Sequence, residues 1–426
     1  MASEQFRTPK GASDILPEEQ SYWRFFQKNA EEAVARFGYS RLDTPMFEDA
    51  RLFIRTAGEV TDIVENETYT FEDRGGDMLT LRPEGTAPVC RSYLEHGMFN
   101  LPQPVRLHYF MPMFRYDRPQ AGRYRQLHQL GVEAIGDSDP SIDAEVIELA
   151  WSLLMMMGLT DLTLKLNSIG DSQCKPAYIE KLSDYYRSQN LTHPDCVRRL
   201  QENPLRLLDC KEKSCQRFVD EAPVSADHLC GECQVHWNEL LGYLDSIPIP
   251  YEIDGGLVRG LDYYTRTVFE MEPAKELGQS TILGGGRYDG LIEQIGGAPT
   301  PGIGFGMGIE RVLLNLKSQG IDVSENSRIK VLVAYVGRDA KEVGLRIASS
   351  LRNEGITAVL GPAGRSLKSQ MRYAASIGAS HAAILGGDEI ERGTVVLRDL
   401  RQSTQAEIPA GDLGSKLMGH KLPMQT

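Results

Sequence analysis

The sequence predicts an α+β protein in which an antiparallel sheet domain carries a helical insertion and is followed by a smaller α/β domain. Two long strand-like segments, residues 105–116 and 127–136, flank an arginine-rich connection, as in an antiparallel hairpin with a long loop. In residues 173–246, polar helical segments replace the strands. Beyond residue 329, short strands alternate with helices, which is typical of a mainly parallel sheet.

Length, composition and cysteine content are those of an ordinary globular chain. Its 426 residues are 41% apolar and 25% charged, and this length corresponds to roughly two to four domains. The N-terminal residues lack the apolar core of a signal peptide, and no apolar run approaches membrane-spanning length. We therefore expect a cytoplasmic protein without a membrane partner. Seven cysteines, an odd number, argue against a disulfide scaffold.

The net charge of −13 is unevenly distributed. Residues 329–426 contain 13 Lys and Arg against 9 Asp and Glu, a balance of +4, which leaves −17 on the first 328 residues. A mildly basic C-terminal domain permits contact with RNA without requiring it.

Apolar periodicity and turn residues predict the remaining elements in order. A helix should open at Pro17, because proline is tolerated in a first turn, and should end at Gly38. The expected elements that follow are a strand toward Pro45, a strand at 78–82, a helix starting at 84–86, a helix over 140–157, strands at 162–167, 251–254, 262–270 and 280–284, a glycine-rich strand at 302–308 and a helix over 309–317.

A polar segment, residues 318–328, separates the two predicted domains. We therefore assign residues 1–325 to the first domain and residues 329–426 to the second. The elements expected in the second domain are strands at 330–335, 357–360 and 381–385 and helices over 340–354 and 367–377.

Four arginines among residues 114–125 form a first candidate site. Asp117 is the only acid in this segment, so the four cannot all be ion-paired locally. Arg115, at the end of a strand, should point into a sheet face and bind a polyanion, while the loop arginines can reach a phosphate backbone. A solubilising charged loop is the alternative.

Polar residues on the following strand share one face of the sheet. Gln129, Gly131 and Glu133 alternate with apolar residues, which indicates a polar ligand on that face. At a strand-to-helix turn, Glu84 and Thr86 add an acceptor and a hydroxyl. A helix N-cap role for Thr86 is a compatible alternative.

Three further segments combine glycine with arginine. Residues 257–266 are expected to form a strand–turn–strand in which Arg259 and the adjacent tyrosines hold an anion and a planar ring, or else an amphipathic edge strand. In residues 302–311, glycines would let a ring or phosphate lie against the backbone, with Arg311 above it. Residues 284–289 form either a turn or a second stretch of backbone that a ligand can approach closely.

Together these segments resemble the histidyl-tRNA synthetases, which are class II aminoacyl-tRNA synthetases, over essentially the whole chain. Residues 38–45 resemble motif 1, which builds a dimer interface in the family. The other resembling segments are residues 115–133 (motif 2), 304–311 (motif 3), 257–264 and 284–289 (two signatures of the histidine enzymes) and 82–86 (a further family string).

The resemblance implies a homodimer that uses ATP and Mg²⁺ to form histidyl-adenylate and then transfers L-histidine to the 3′ end of histidine tRNA. Attack of a carboxylate on the α-phosphate joins two anions, so the transition state needs fixed positive charge. Arg115 and Arg311 match the ATP-binding arginines of the family. Arg259 matches the extra arginine of the histidine enzymes, so Arg259 and Arg115 are the expected catalytic residues.

Binding roles for other residues follow from the same resemblance. The residues expected around histidine are Glu84, Gly85, Thr86, Gln129, Glu133, Arg259, Tyr263 and Tyr264, with Glu133 and Tyr264 at the imidazole N–H. Arg118, Gln120 and Arg123 match the loop that relatives use on the tRNA acceptor stem. The C-terminal domain resembles the anticodon-binding domain of this subclass.

Two cysteine pairs in the insertion are not required by this reaction. Cys210 and Cys215 have four residues between them, and Cys230 and Cys233 have two. Such pairs can close a tetrahedral thiolate site around zinc. Four reduced thiols in a helical insertion are the alternative, so no metal ligand is assigned.

Two other functions are alternatives to the ligase. A non-catalytic relative, paired with a phosphoribosyltransferase of histidine biosynthesis, would typically lack the catalytic arginines and the C-terminal domain, and this chain has both. Another class II ligase of the same subgroup is disfavoured by residues 257–264 and 284–289.

Overall fold

The computed structural model describes residues 6–57, 67–120, 122–210, 212–273, 281–323 and 330–419. The chain divides into two compact units, Met1–Asp322 and Val323–Thr426. Within these described ranges, none of the helices combines the length and the apolar character needed to cross a membrane.

The first unit is built on an eight-stranded sheet. The strands of this unit are β1 (Ser40–Arg41), β2 (Phe47–Asp49), β3 (Tyr69–Glu72), β4 (Met78–Leu81), β5 (Val105–Phe114), β6 (Gln126–Ile135), β7 (Leu162–Ser168), β8 (Tyr251–Ile253), β9 (Thr265–Pro273), β10 (Leu283–Arg287) and β11 (Gly302–Gly308). Their order in the large sheet is β1-β5-β6-β11-β10-β9-β7-β8. The pairs at the two edges are parallel and the central pairs are antiparallel, which confirms the predicted sheet. The strands β2, β4 and β3 form a small antiparallel sheet of their own.

Helices of the first unit contribute to two separate buried cores, each of which also contains residues of the large sheet. The helices are α1 (Gln20–Arg36), α2 (Ala50–Ala57), α3 (Thr86–Glu95), α4 (Pro140–Met156), α5 (Lys175–Ser188), α6 (Pro194–Glu202), α7 (Lys213–Gln216), α8 (Gly231–Ser246), α9 (Leu291–Gln294) and α10 (Ile309–Ser318). Phe26 of α1, Ile147 of α4 and Val312 of α10 share one buried core with Leu130 and Val132 of β6. Because side chains alternate along a strand, the polar residues of β6 lie on the opposite face.

The helical insertion is present as predicted. Helices α5 to α8 fall between residues 173 and 246, and α8 contributes Trp237 and Leu240 to the large core. The expected helix start at Pro17 is wrong, because Pro17 lies in a turn and α1 begins at Gln20.

The predicted strand–turn–strand at residues 257–266 is also wrong. Residues 257–264 form an irregular segment, and β9 begins only at Thr265. The carbonyl of Leu257 accepts from the side-chain amide of Asn167 at 3.0 Å, and its N–H donates to the carbonyl of Asp254 at 3.0 Å. A side chain and a local turn therefore satisfy this backbone where a strand partner was expected.

The second unit is a five-stranded sheet with helices. Its elements are β12 (Lys330–Tyr335), α11 (Arg338–Asn353), β13 (Thr357–Leu360), α12 (Leu367–Ser376), β14 (His381–Leu385), α13 (Gly387–Arg392), β15 (Thr394–Asp399), β16 (Gln405–Pro409) and α14 (Leu413–Gly419). The strand order is β13-β12-β14-β15-β16. The first three strands are parallel, as predicted, whereas β15 and β16 add an antiparallel edge that the sequence analysis did not identify.

Candidate active site

A pocket lies at the polar face of the central strands β6, β10 and β11. Many of the residues that were expected to contact substrates line this pocket: Glu84, Thr86, Arg115, Arg123, Gln129, Arg259, Tyr263, Tyr264 and Arg311. The other lining residues are Tyr109, Asp117, Gly122, Tyr124, Leu127, Leu261, Thr281, Ile282, Leu283, Gly284, Gly306, Gly308 and Glu310. Segments that are distant in the chain, including residues 115, 259 and 311, thus meet at one cavity.

Glycines in β10 and β11 make room for functional side chains. A Cβ at position 284 would overlap the guanidinium of Arg259, and a Cβ at position 306 would overlap the amide of Gln129. The sequence is glycine-rich here because these neighbouring side chains occupy the space that a larger residue would fill.

Arg259 is anchored to the sheet. Its guanidinium forms an ion pair with Glu270 on β9, and it lies 5.9 Å from the centre of the Tyr264 ring. The Nε of Arg259 is buried and has no hydrogen-bond partner among the described residues. A donor of this kind, at the edge of a pocket, suits an anionic ligand.

Two further arginines face the same pocket. The Nε of Arg115 donates to the carbonyl of Pro83 at 2.7 Å. Arg311, in the first turn of α10, donates to the carbonyls of Gly122 at 3.0 Å and Thr281 at 2.7 Å. Burial, followed by repulsion from Arg115 and Arg123, lowers the pKa of Arg311 to about 10. It stays charged at neutral pH, and a bound anion would relieve the repulsion.

Glu84, and not Thr86, caps helix α3. Its carboxylate accepts from the backbone N–H groups of Thr86 at 2.6 Å and Ala87 at 3.0 Å. The N-cap position itself is Gly85, so the alternative role for Thr86 is wrong. Burial raises the pKa of Glu84, although these two backbone hydrogen bonds oppose the shift.

Glu133 lies behind the pocket wall and is fully buried. It accepts from the hydroxyl of Thr86 at 2.8 Å and from that of Tyr288 at 2.7 Å. Burial raises the pKa of Glu133 to about 8, against the opposing effect of those hydroxyls. In this structure Glu133 therefore reaches the cavity through Thr86, which does line it. The sequence analysis did not assign this role to Tyr288, although it singled out residues 284–289.

Gln129 and two tyrosines complete the inner part of the pocket. The side-chain oxygen of Gln129 is buried and lacks a hydrogen-bond partner within the part of the chain that is described. The rings of Tyr263 and Tyr264 are buried, with centroids 4.7 Å apart and planes inclined by 44°. This arrangement offers an acceptor and flat apolar walls to a small polar ligand.

The arginine-rich loop is more strongly paired than its sequence indicates. Arg123 forms ion pairs with Asp117 at 2.5 Å and with Glu67, from outside the loop, at 3.1 Å. Gln120 and Arg123 exchange two backbone hydrogen bonds, at 3.1 and 2.9 Å. Arg118 and Gln120 are not among the residues that line the pocket, unlike Arg123.

Arg287, in the 284–289 segment, is part of a buried ion pair and does not line the pocket. It is fully buried with Asp143 of α4 and binds that carboxylate at 2.7 and 3.0 Å. It also binds Asp289 and the backbone carbonyls of Asp137 and Asp139. Burial raises the pKa of Asp143 to about 6, while Arg287 opposes that rise. This segment thus holds β10 against α4 through Arg287, and its Tyr288 donates a hydrogen bond to Glu133.

Three residues at the site escaped the sequence analysis. Glu270 anchors Arg259, and the hydroxyl of Thr281 donates to Glu270 at 2.7 Å. Tyr109 of β5 lies against Gly85 and Gly131, where a Cβ would overlap its ring. The available signal for Glu270 was a carboxylate between the buried residues Phe269 and Met271. No local sequence pattern indicated that the Tyr109 ring lies against Gly85 and Gly131.

The four insertion cysteines, for which a shared zinc site was one of two alternatives, do not lie together. Cys230 and Cys233 gather with Asp171 and Cys174, whereas Cys210 and Cys215 gather with Cys196. The two predicted pairs therefore belong to different groups, because residues distant in sequence supply the remaining members of each.

An antiparallel sheet with arginines gathered around one pocket, followed by an α/β unit, agrees with the class II aminoacyl-tRNA synthetases that the sequence motifs resemble. Residues 11–312 match the family described as histidyl-tRNA synthetase, and residues 330–419 match the anticodon binding domain. The chain belongs to the histidyl-tRNA synthetase family. The predicted fold class is thereby confirmed.

Known relatives are similar over nearly the full length. A histidine–tRNA ligase of Dehalococcoides mccartyi is 54% identical over 96% of this chain and 98% of its own, and one of Desulforamulus reducens is 46% identical over 95% and 97%. The crystal structure of apo histidyl-tRNA synthetase from S. aureus has a TM-score of 0.81 and 35% identity, covering 97% of this chain and 100% of that one.

Proposed function

We propose that the protein ligates L-histidine to the 3′ end of histidine tRNA with ATP, through a histidyl-adenylate intermediate. Family membership and relatives carrying the name histidine–tRNA ligase support this activity. The observation that carries the proposal is the meeting of Arg115, Arg259 and Arg311 at one pocket beside Glu84 and Gln129. Residues 1–325 would be the catalytic domain and residues 329–426 the anticodon-binding domain.

In the first step, a carboxylate oxygen of histidine attacks the α-phosphorus of ATP. A carboxyl-oxygen-to-phosphorus bond forms, the bond to the bridging oxygen breaks, and pyrophosphate leaves with that electron pair. Two anions meet in this step, so fixed positive charge lowers its barrier. Arg115 would bind the α-phosphate, Arg311 the γ-phosphate, and Arg259 both the reacting carboxylate and the α-phosphate. Arg259 and Arg115 are thus the proposed catalytic residues.

The amino-acid subsite would use the inner part of the pocket. Glu84 and the unpartnered oxygen of Gln129 can accept from the α-ammonium group, with Thr86 forming the adjacent wall. Gly85 is not among the lining residues and would act only through its N-cap position before Thr86. Tyr263 and Tyr264 would flank the imidazole.

Glu133 is the proposed acidic determinant for the imidazole. It would act directly if Thr86 moves aside, or through the Thr86 hydroxyl that now contacts it. A ligand without the ring N–H would leave a buried acceptor unpaired, at a cost of about 1 to 3 kcal/mol or more.

A carboxylate in the pocket fits the Mg²⁺ that normally accompanies ATP. Glu310 lines the cavity next to Arg311. Its oxygens accept from the backbone N–H of His128 at 2.9 and 3.0 Å, and Oε1 lies 2.8 Å from the ring Nδ1 of His128, so only part of the carboxylate is left for a cation. Mg²⁺ takes oxygen ligands, commonly one or two carboxylates with substrate phosphates. Glu310 would hold the ion, which supplies charge neutralisation to the triphosphate when bound.

Transfer to tRNA would involve the motif 2 loop and the second unit. Arg118, Gln120 and Arg123 would contact the acceptor stem, and the match to the anticodon binding domain supports contact of the second unit with tRNA. A homodimer built through residues 38–45 belongs to the same proposal.

Exchange of labelled pyrophosphate into ATP tests the proposal. We expect exchange with histidine and not with the other proteinogenic amino acids, followed by charging of a histidine tRNA transcript. Absence of exchange with every amino acid would instead favour a non-catalytic regulator.

A further inference from the structure

Four side chains of metal-ligand type meet outside the pocket. One carboxylate oxygen of Asp171 and the sulfurs of Cys174, Cys230 and Cys233 all lie within 4.8 Å of one another. The sulfurs of Cys174 and Cys230 are 3.6 and 3.9 Å from Oδ1 of Asp171. A tetrahedral zinc with bonds of about 2.0 to 2.3 Å holds its ligand atoms about 3.3 to 3.8 Å apart. We propose that these four residues bind a structural Zn²⁺.

The spacing of the four residues supports the site independently of their distances. Asp171 and Cys174 have two residues between them, as do Cys230 and Cys233. The first pair ends at the N-cap of α5 and the second begins at the N-cap of α8. Paired ligands at this spacing are typical of structural zinc sites. Segments from the two ends of the insertion would therefore be joined by the metal.

The other cysteine group is less suited to zinc. Cys196, Cys210 and Cys215 are buried together, with the sulfurs of Cys196 and Cys210 3.5 Å apart. Among the described residues, that group supplies three ligand atoms, whereas structural zinc is almost always four-coordinate. It therefore serves as a matched control.

Arg266 is placed to balance the charge of the site. Three thiolates and a carboxylate around Zn²⁺ leave a net negative charge, and Nη2 of Arg266 lies 3.4 Å from Oδ2 of Asp171. Arg266 has a φ of 48°, unusual for a residue other than glycine. Its N–H donates to the carbonyl of Gly170 at 2.7 Å, and its carbonyl accepts from the N–H of Ile169 at 2.8 Å. The arginine is thus fixed beside the metal ligands, as a supporting residue commonly is.

Lys175 connects the proposed metal site to the pocket. Lys175 directly follows Cys174, and its Nζ donates to the carbonyl of Tyr264 at 3.1 Å. Loss of the metal would loosen the start of α5 and so the support of the Tyr264 wall. This consequence rests on the proposed function, whereas the metal site itself does not.

Metal content of the full-length, reduced, untagged protein tests the site. We expect about one zinc per chain, as a single four-ligand site requires. The double variant Cys230→Ser/Cys233→Ser should lose that zinc, and the control Cys210→Ser/Cys215→Ser should keep it. Absence of zinc from the reduced wild type, or unchanged zinc in Cys230→Ser/Cys233→Ser, would overturn the proposal.

A second measurement does not depend on the folding of any variant. X-ray absorption at the zinc edge of the wild type should show three sulfur ligands at about 2.3 Å and one oxygen at about 2.0 to 2.2 Å. Coordination by four sulfurs, or by nitrogen and oxygen alone, would exclude the Asp171 group. Neither measurement uses enzymatic activity, so failure of the ligase proposal would leave the metal result unchanged.

Discussion

The carboxylate of Glu270 holds the guanidinium of Arg259, and the two meet in the space that Gly284 leaves open. Glu270 on β9 and Gly284 on β10 are direct partners in the sheet register. Strand β9 thus supplies the carboxylate that binds Arg259, and β10 supplies the glycine that leaves space for its guanidinium. The arginine proposed to meet the reacting groups is consequently fixed by the central sheet, although its own segment is irregular.

Replacement of Arg259 should impair chemistry more than binding. In Arg259→Ala, adenylate formation should fall by about 10² to 10³-fold while histidine affinity changes little, since the charge is needed mainly in the transition state. Pyrophosphate exchange and equilibrium histidine binding measure the two effects. Arg187→Ala, on an exposed helix of the insertion, should behave as wild type. Full turnover by Arg259→Ala would rule out its proposed role.

A methyl group at position 284 should act through Arg259. In Gly284→Ala, the new Cβ would displace the guanidinium, and we expect pyrophosphate exchange to fall about tenfold or more. Gly290→Ala is the matched control, because a Cβ there has no atom within 4 Å. Equal activity of the two variants would show that the guanidinium can shift without consequence.

Glu133 should make stability depend on pH. Its pKa rises from the usual 4.5 to about 8 on folding, so the folded state binds more protons between these values. Stability conferred by the protonated group is therefore present below about pH 4.5 and is lost as pH rises toward 8. Relative to Glu133→Gln, the wild type should lose a few kcal/mol, about 1 to 4, across this range. Urea unfolding at several pH values measures the difference, and parallel pH profiles would contradict it.

Removal of one partner of the buried Arg287–Asp143 pair should be costly. Arg287→Ala leaves a fully buried carboxylate without its cation, and we expect a loss of about 3 to 5 kcal/mol. The double variant Arg287→Met/Asp143→Leu should recover most of that loss, because it removes the buried charge as well. Thermal and urea unfolding test both variants, and a loss below about 1 kcal/mol in Arg287→Ala would argue against a stabilising pair.

The sequence predicted which residues gather at the pocket better than it predicted how they are held. Arg115, Arg259 and Arg311 line one cavity, as the family motifs indicated. The partners of these side chains, however, come from strands whose register is set by the whole sheet. Glu270 reaches Arg259 only because β9 and β10 pair as they do, and no local pattern encodes that pairing.

One wrong prediction and one alternative that the structure does not support have the same physical origin. The segment after Asp254 was expected to pair as strands, but Asn167, from β7, binds the Leu257 carbonyl. A shared site of the four insertion cysteines was one alternative, but residues from outside each pair, including Asp171, complete separate groups. In both cases a side chain remote in sequence replaced the partner that spacing alone suggested.

The glycines of β10 and β11 also restrict how this enzyme can be redesigned. At positions 284 and 306, any new side chain collides with the protein's own Arg259 or Gln129 before it meets a substrate. Directed evolution toward larger or unnatural amino-acid substrates should therefore yield few active variants with substitutions at these two positions. Altered selectivity would come more readily from trimming Tyr263, since the ring of Tyr264 also lies 5.9 Å from the guanidinium of Arg259.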